Sequence, residues 1–388
     1  MRVYLDYNAT APIRPEVAAK MAEVLPMGAN PSSVHAEGRR ARGQLSGARS
    51  QVAALVGARP ENVVFTSGGT EANNWALAAA RSLGAKHLLV SAIEHPSVLE
   101  AAPHVGVPVT HLPVDAAGRI DLDAAARLIE ETSPALVSAM QVNNETGVVQ
   151  PVAELSRMVH EAGGWLHCDA VQAAGRIDID CAALGADMLS LSAHKLGGPQ
   201  GVGALILRDG LTPAPLLRGG GQERRYRAGT ENVAGIAGFG VAAELARESR
   251  DKDRIAALRD QMESAIKQAA PDAIVFGEEA ERVANTSCFG APGLSAETLV
   301  MALDLEGIAV SAGSACSSGK VARSHVLSAM NVGDALADGA IRVSLGWATE
   351  ASHIEKLVDV WTGLWQHKHA KRADNGTADT GRLMAAQR

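Results

Sequence analysis

Short apolar runs alternate with helical patterns between residues 50 and 250. Six of these runs are typical of buried strands and read NVVFTS, HLLVSA, ALVSAM, WLHCDA, MLSLSA and VGALILR. Most of them are separated by enough residues for a crossover helix, which is typical of an α/β fold with a mostly parallel sheet covered on both faces. We therefore predict an α/β domain that binds its ligands at the carboxyl ends of the strands.

Polar residues directly follow five of the predicted strands. These segments read SGGTEANN, EHPS, NNETG, DAVQ and HKLGGPQG. The carboxyl ends of parallel strands lie at one edge of a sheet, so these side chains are expected to meet in one crevice. The pattern predicts a single functional site rather than scattered polar residues.

The pattern changes near residue 250. Ile255, Leu258, Met262 and Ile266 recur at spacings of three and four residues, which predicts a long amphipathic helix that could link two domains. Short strand patterns then follow among helical ones and read NTSCFG, IAVSAG and IRVSLG. We predict a smaller α+β domain here, and a frayed end for the polar C-terminal segment KRADNGTADTGRLMAAQR.

Composition and charge narrow the class of protein. A formal net charge of -7 over 388 residues gives no basic field, so neither nucleic acid nor a membrane is a predicted partner. The apolar run VAGIAGFGVAA is shorter than the ~20 residues that a membrane span needs. The N-terminal residues lack the apolar core of a signal peptide, so we predict a cytoplasmic protein. The four cysteines show no C-x-x-C spacing, which predicts free thiols and no zinc cluster.

Lys195 and Asp169 are the first candidates for catalysis. Lys195 follows an apolar strand and precedes a glycine-rich turn, where burial can lower its pKa and let it condense with an aldehyde. Asp169 ends the preceding strand, where a carboxylate can pair with a protonated pyridine nitrogen, and Gln172 can reach the same ligand. Taken alone, Lys195 is better explained by a surface ion pair, and Asp169 is equally well explained as a helix cap.

The segment TSGGTEAN (Thr66 to Asn73) predicts a phosphate site. A glycine pair and Thr70 open a helix, whose free N–H groups and positive end favour an anion. Ser192 and His194 flank Lys195 and could supply further donors. Two nucleotide motifs fail, because GSACSSGKV has the wrong glycine spacing for a P-loop and GGPQGVG precedes a strand rather than a helix.

These motifs, and the order in which they occur, resemble those of one enzyme family. Together with the motifs above, YLDYNATAP, NPSSVHAEGR, LLRGGGQERRYRAGTEN, SAGSACSSG and IRVSLG resemble the cysteine desulfurases of the NifS and IscS type. These are class V members of the fold-type I pyridoxal 5'-phosphate (PLP) enzymes, and the match runs from residue 4 to about residue 347. The resemblance is nearer to the NifS branch.

The resemblance implies a fold, a cofactor and a role for each matching residue. It implies an α/β fold of type I, with a mostly parallel seven-stranded sheet in a large domain and a smaller α+β domain. The cofactor is PLP. For the PLP ring, the resemblance implies that Lys195 binds the cofactor covalently, that Asp169 pairs with the ring nitrogen, and that His95 stacks on the ring as a proton carrier. It places Gln172 and Asn144 near the ring hydroxyl and the substrate, and it makes Arg342 the clamp on the substrate carboxylate. The implied phosphate ligands are Gly69, Thr70, Ser192 and His194, with Thr230 of a second subunit. Without the resemblance, His95 and Asn144 are equally well read as turn residues, and Arg342 is better read as part of an ion pair.

Cys316 stands in the run GSACSSG, and local sequence leaves two interpretations open. It is either an inert small residue in a tight turn or a nucleophile on a mobile segment. The resemblance implies the second, in a homodimeric enzyme that takes sulfur from L-cysteine, gives L-alanine and holds a persulfide on Cys316. An acceptor protein then takes the sulfur for iron–sulfur cluster assembly or another sulfur transfer.

Other activities of the same framework stay open at this point. They are a selenocysteine lyase, a class V aminotransferase, which does not need Cys316, and a catalytically idle assembly partner. Three positions depart from the family pattern without removing a proposed catalytic group, namely Ala11, Ala193 and Gln200.

The change in pattern and the resemblance together divide the chain. We predict a large PLP-binding domain at 15–249, a small domain formed by 1–14 and 250–370, and a flexible tail at 371–388.

Overall fold

The computed structural model describes residues 2–312 and 323–385, with side chains of the last helix only as far as residue 368. In these residues the strands are β1 (Val3–Tyr4), β2 (Val63–Thr66), β3 (His87–Ser91), β4 (Val109–Leu112), β5 (Ala135–Met140), β6 (Trp165–Asp169), β7 (Met188–Ser192), β8 (Gly203–Leu207), β9 (Ile274–Val275), β10 (Thr286–Gly290), β11 (Ile308–Ala309), β12 (Ser311–Ala312) and β13 (Ile341–Ser344).

The helices of the described residues lie mostly between the strands of the first half. They are α1 (Pro15–Val24), α2 (Ala36–Leu55), α3 (Gly69–Leu83), α4 (Pro96–Leu99), α5 (Leu122–Thr132), α6 (Val152–Glu161), α7 (Cys181–Leu184), α8 (Val233–Glu248), α9 (Lys252–Ala269), α10 (Ala296–Leu305), α11 (His325–Ala329), α12 (Asp334–Ala337) and α13 (Ala351–Ala385). None of these described helices is long and apolar enough to cross a membrane.

A seven-stranded sheet forms the centre of the larger part of the molecule, in the order β2-β8-β7-β6-β5-β3-β4. Neighbouring strands run parallel except at β8, which is antiparallel to both β2 and β7. Six of the strands are those predicted from the sequence, and the edge strand β4 was not predicted. Because β8 alone is reversed in this described sheet, β2, β3, β5, β6 and β7 all end at the same edge, as the sequence pattern required.

The sheet is covered on both faces by helices, which explains why its strands read as continuous apolar runs. On one face α2 packs against α8, and α8 packs against α1. Gly240 of α8 permits this close approach, because a Cβ there would lie 2.6 Å from Ala48 Cα of α2. On the other face, the buried side chains of α3 pack on the strands, with Trp75 at the centre of that core.

A smaller sheet lies in the second part, in the antiparallel order β12-β13-β10-β9. The predicted amphipathic helix is α9, and its four predicted apolar residues are buried in a second hydrophobic core. Val3 and Leu5 of the N-terminal segment are buried in the same core, and β1 pairs with β11. Residues 3–5 thus pack with the smaller part, whereas Ala11 and Arg14 hydrogen-bond to the turn after β7, and the grouping of residues 1–14 with the smaller domain stays a prediction. Helix α13 extends to Ala385 and so includes most of the segment for which composition favoured a flexible tail.

Candidate active site

Lys195 lies on the turn after β7, at the carboxyl edge of the large sheet. The turn depends on Gly197, whose φ of 78° is in the left-handed region that favours glycine. The Lys195 Nζ donates hydrogen bonds to the carbonyl oxygens of Asn8 and Ala9, the latter at 2.8 Å. Burial, followed by the nearby positive charge of Arg342, lowers the pKa of Lys195 to about 7. A substantial fraction of this amine is therefore neutral and nucleophilic near pH 7.

Asp169 ends β6 next to β7 and is 5% exposed. Its Oδ1 accepts the backbone N–H of Val171 at 2.9 Å, and its Oδ2 accepts the Nδ2 of Asn73 at 2.7 Å. These bonds fix the carboxylate in one orientation at the floor of the crevice. Asn73 was quoted in the predicted phosphate segment but was given no role. Its position one turn after Gly69 on the same helix was the signal that could have identified it.

His95 is connected to Asp169 through hydrogen bonds between side chains. Ser97 Oγ lies 2.8 Å from His95 Nδ1 and accepts the Nδ2 of Asn73 at 2.9 Å. The backbone N–H of Ser97 also donates to His95 Nδ1, at 3.1 Å. Burial lowers the pKa of His95. The neutral ring accepts at Nδ1, and we infer from these partners that its proton is on Nε2.

Three of the predicted phosphate residues lie at or near the start of α3. A Cβ on Gly69 would lie 2.9 Å from Val171 Cγ2 and 3.5 Å from Ser192 Cβ, so the three residues share a tight pocket that a larger side chain at position 69 would fill. Thr70 follows in the first turn of α3, where backbone N–H groups are free to bind an anion. Gly69 and Ser192 are therefore neighbours beside the first turn of α3, and their role with Thr70 in binding a phosphate stays a prediction.

His194 contacts the N-terminal segment. Its Nδ1 lies 3.1 Å from Thr10 Oγ1, and burial, followed by the charge of Lys195, lowers the pKa of His194 to about 4. The ring is therefore neutral near pH 7. Thr10 was not singled out from the sequence, although it lies in the motif YLDYNATAP.

Arg342 is almost fully buried on β13 and faces the same crevice, since its charge acts on both Lys195 and His95. Its guanidinium donates to Asp6 Oδ1 at 2.8 Å and to the carbonyl oxygen of Asn144 at 3.1 Å. The Nε of Arg342 has no hydrogen-bond partner among the described residues. Asp6 was missed in the sequence analysis, where only the motif around it was quoted.

Gln172 shares an acceptor with Lys195. Its Nε2 donates to the carbonyl oxygen of Asn8 at 3.0 Å, and its Oε1 accepts from Arg176. One predicted residue that the structure describes lies apart from these contacts. Thr230 lies exposed on the loop before α8, and Cys316 lies outside the described residues.

The family of the chain follows from comparison with known proteins. A model of the aminotransferase class-V family matches residues 3–357, and the chain belongs to this family. It is 46% identical over 367 residues to a cysteine desulfurase of Cereibacter sphaeroides, with 92% of this chain and 94% of the relative covered. It is 43% identical over 367 residues to a protein named cysteine desulfurase IscS in Dictyoglomus turgidum, with coverage of 92% and 93%.

Solved structures agree with the sequence relatives. A NifS-like protein superposes with a TM-score of 0.88 at 34% identity, over 95% of this chain and 100% of that protein. A structure described as SspA in complex with cysteine gives a TM-score of 0.78 at 32% identity, with coverage of 89% and 99%. These comparisons confirm the predicted resemblance to cysteine desulfurases and the fold-type I class.

Proposed function

We propose that this protein is a PLP-dependent cysteine desulfurase that converts L-cysteine to L-alanine and retains the sulfur as a persulfide on Cys316. The observation that carries the proposal is the crevice itself. Lys195, with a pKa of about 7, lies within electrostatic reach of Asp169, Arg342 and the neutral His95. Relatives of similar length that are named cysteine desulfurases support the same reaction.

The residues of the crevice fit PLP. The aldehyde of PLP requires a neutral lysine amine, its ring nitrogen requires a carboxylate, and its phosphate requires N–H donors at a helix start. Lys195, Asp169 and the Gly69–Thr70 turn have these properties, and the space beside Gly69 is open only because that residue lacks a Cβ. When bound, PLP supplies an electron sink for the charge left when the substrate loses its Cα proton. Thr230 of a second subunit is proposed to complete the phosphate site in a homodimer.

Proton transfer is assigned to Lys195 and His95. An amine with a pKa of about 7 can both accept and return a proton near neutral pH. His95 Nδ1 is occupied by Ser97, which leaves Nε2 as the atom that exchanges protons with the substrate. The link through Asn73 to Asp169 holds the ring in place.

Arg342 is proposed to bind the substrate carboxylate. Its guanidinium is already oriented by Asp6 and by the Asn144 carbonyl, and the buried Nε still lacks a partner among the described residues. A carboxylate can accept two parallel N–H groups from a guanidinium. This arrangement fixes the amino acid in the crevice with its side-chain sulfur free to be attacked.

Cys316 is assigned as the sulfur acceptor partly through the other three cysteines. Burial raises the pKa of Cys168 and Cys288, and it raises the pKa of Cys181 to about 12. These thiols stay protonated and are poor nucleophiles. In the proposed step the Cys316 thiolate forms an S–S bond with the substrate sulfur as the substrate C–S bond breaks. The carbon fragment gains a proton and leaves as L-alanine.

The destination of the sulfur is also a proposal. We propose that the persulfide passes to an acceptor protein, such as a scaffold for iron–sulfur clusters, in the cytoplasm. L-Selenocysteine carries the same amine and carboxylate as L-cysteine, so L-alanine production from it is measured beside that from L-cysteine.

The test compares Cys316→Ala with Cys181→Ala as a matched control. We expect Cys316→Ala to keep the visible absorbance of bound PLP but to lose sulfide and L-alanine production from L-cysteine. Cys181→Ala should keep the absorbance of bound PLP and should still produce sulfide and L-alanine. Continued desulfuration by Cys316→Ala would refute the nucleophile role, and purified protein that binds no PLP would refute the cofactor assignment. Transfer of the amino group to PLP without sulfur release would identify an aminotransferase instead.

A further inference from the structure

The turn before α3, here called the phosphate turn and formed by residues 67–70, is closed by a side chain of α3 itself. Gly68 is the N-cap of α3 and has no side chain that could cap the helix. Glu71, the third residue of α3, supplies the missing contact, since its Oε2 accepts the backbone N–H of Ser67 at 2.8 Å. A glutamate at this helical position commonly reaches back to the chain at the helix start. The position of the phosphate turn therefore depends on the Glu71 carboxylate.

Arg227 holds the Glu71 carboxylate with two parallel hydrogen bonds. The Arg227 Nε donates to Glu71 Oε1 at 2.9 Å, and the Arg227 Nη2 donates to Glu71 Oε2 at 3.0 Å. The side chains are 21% exposed for Arg227 and 12% exposed for Glu71. Two parallel bonds between a guanidinium and a carboxylate fix the orientation of both groups. Glu71 thus fixes the phosphate turn, and Arg227, 156 positions away in sequence, fixes Glu71.

The pair also balances the charge beside the phosphate turn. Burial would raise the pKa of Glu71, but the hydrogen bonds from Arg227 and Ser67 lower it below its ordinary value, so Glu71 is ionised near pH 7. A carboxylate bound to this turn would repel an anion held by the same turn. The hydrogen bond to Glu71 raises the pKa of Arg227, so the guanidinium stays charged and offsets that repulsion.

The loop that carries Arg227 is anchored to the strand that the phosphate turn follows. Glu223, four residues before Arg227, is buried, and its carboxylate accepts two hydrogen bonds from the Arg49 guanidinium. Its Oε2 also accepts the backbone N–H of Phe65 on β2, at 2.9 Å. Because the phosphate turn begins where β2 ends, the loop and the turn are attached to the same strand.

We propose that the Arg227–Glu71 pair sets the affinity of the protein for the phosphate group of PLP. Glu71 positions the backbone N–H groups of Gly69 and Thr70, and Arg227 cancels the charge of Glu71. Both are positioning residues, since they act through the phosphate turn. This inference rests on the proposed PLP site and adds the pair that prepares its phosphate end. Binding of the ring and aldehyde of PLP is not expected to depend on the pair.

The test measures the affinity of the full-length protein for PLP and, separately, for pyridoxal, which has the same ring and aldehyde but no phosphate. Both titrations follow the visible absorbance of the bound compound. Arg227→Gln should weaken PLP binding about tenfold, because it leaves a charged Glu71 beside the anion, and should leave pyridoxal binding unchanged. Arg227→Lys keeps the charge but not the two parallel bonds, so its PLP affinity should lie between those of wild type and Arg227→Gln.

A double variant separates this effect from a displaced loop. In Arg227→Gln/Glu71→Gln the amide that replaces the Glu71 carboxylate is neutral and can still accept the Ser67 N–H, so most of the lost PLP affinity should return. PLP affinity that stays low in the double variant would assign the effect to another part of the loop, such as Thr230, and would overturn the proposal. Arg208→Gln is the matched control, because Arg208 pairs with the buried Asp187 at the opposite edge of the large sheet. It should bind both compounds as the wild type does.

Unchanged PLP affinity in Arg227→Gln, or an equal loss of affinity for PLP and pyridoxal, also overturns the proposal. Thermal unfolding of each variant identifies any loss of folding, and Arg227→Lys decides the matter if Arg227→Gln is unstable. If pyridoxal binds too weakly to be measured, the recovery of PLP affinity in the double variant decides instead. Wild type that binds no PLP would refute the proposed function, so the two failures are distinguishable.

Discussion

Replacement of Lys195 by methionine tests whether the fold itself lowers the pKa of this lysine. The ordinary lysine pKa is 10.5, and in the folded protein it is about 7. Each pH unit of that difference corresponds to about 1.36 kcal/mol, so the fold disfavours the charged amine by about 5 kcal/mol. Burial is the largest cause, and the charges of Arg342 and Arg176 follow.

The sign of the effect on stability follows from proton counting. Between pH 7 and pH 10.5 the unfolded chain holds a proton on Lys195 that the folded protein has released. Stability therefore rises with pH over this window, and below pH 7 the full cost of burying the charge is present. Lys195→Met removes this contribution, so wild type should gain about 3–4 kcal/mol over the variant between pH 7 and pH 10.

The assay is urea denaturation of the PLP-free wild type and variant across this pH range. The difference in unfolding free energy between the two proteins cancels the titration of groups that they share. Lys252→Met, at an exposed lysine, is the matched control and should follow the wild-type pH dependence. Parallel curves for wild type and Lys195→Met would show that the crevice does not depress this pKa, and would remove the physical basis for a neutral amine.

Two further substitutions probe how the site is built, and a third probes a buried ion pair outside it, between Arg49 and Glu223. Gly69→Ala should weaken PLP binding by about 1–3 kcal/mol, measured as the dissociation constant of PLP, because the added Cβ lies 2.9 Å from a valine side chain. Asn73→Ala removes the 2.7 Å bond to Asp169 and should also weaken PLP binding, by about 1.5–3 kcal/mol, with the fold retained in circular dichroism. Glu223→Ala leaves Arg49 without its buried partner and should destabilise the protein by about 3–5 kcal/mol in denaturant titrations. Unchanged affinity in the first two, or unchanged stability in the third, would contradict these assignments.

Much of the fold could be predicted from local pattern. The six buried strands and helix α9 were predicted because a strand buried on both faces reads as a continuous apolar run and an amphipathic helix shows a three-to-four spacing. The edge strand β4 was missed, since Val109–Leu112 contains polar residues among the apolar ones and has no second buried face to enforce the pattern.

The main residues of the site could be predicted from the sequence, but the hydrogen bonds that orient them could not. Lys195 and Asp169 were identifiable because each follows a strand, and parallel strands end at one edge. Asn73, Thr10 and Asp6 were not singled out, because each acts through a residue that is distant in sequence. The bond from Asp6 to Arg342 joins positions 336 residues apart.

The sequence by itself determined the order of elements, the strand ends that meet at one edge, and the family to which the chain belongs. These depend on side-chain periodicity and short motifs, which are local properties of the chain. Only the tertiary structure decided that Lys195 has a pKa of about 7, that Asn73 holds Asp169, and that Asp6 orients Arg342. Burial and electrostatic interaction depend on which groups share a space, and the folded chain sets that through contacts between residues far apart in sequence.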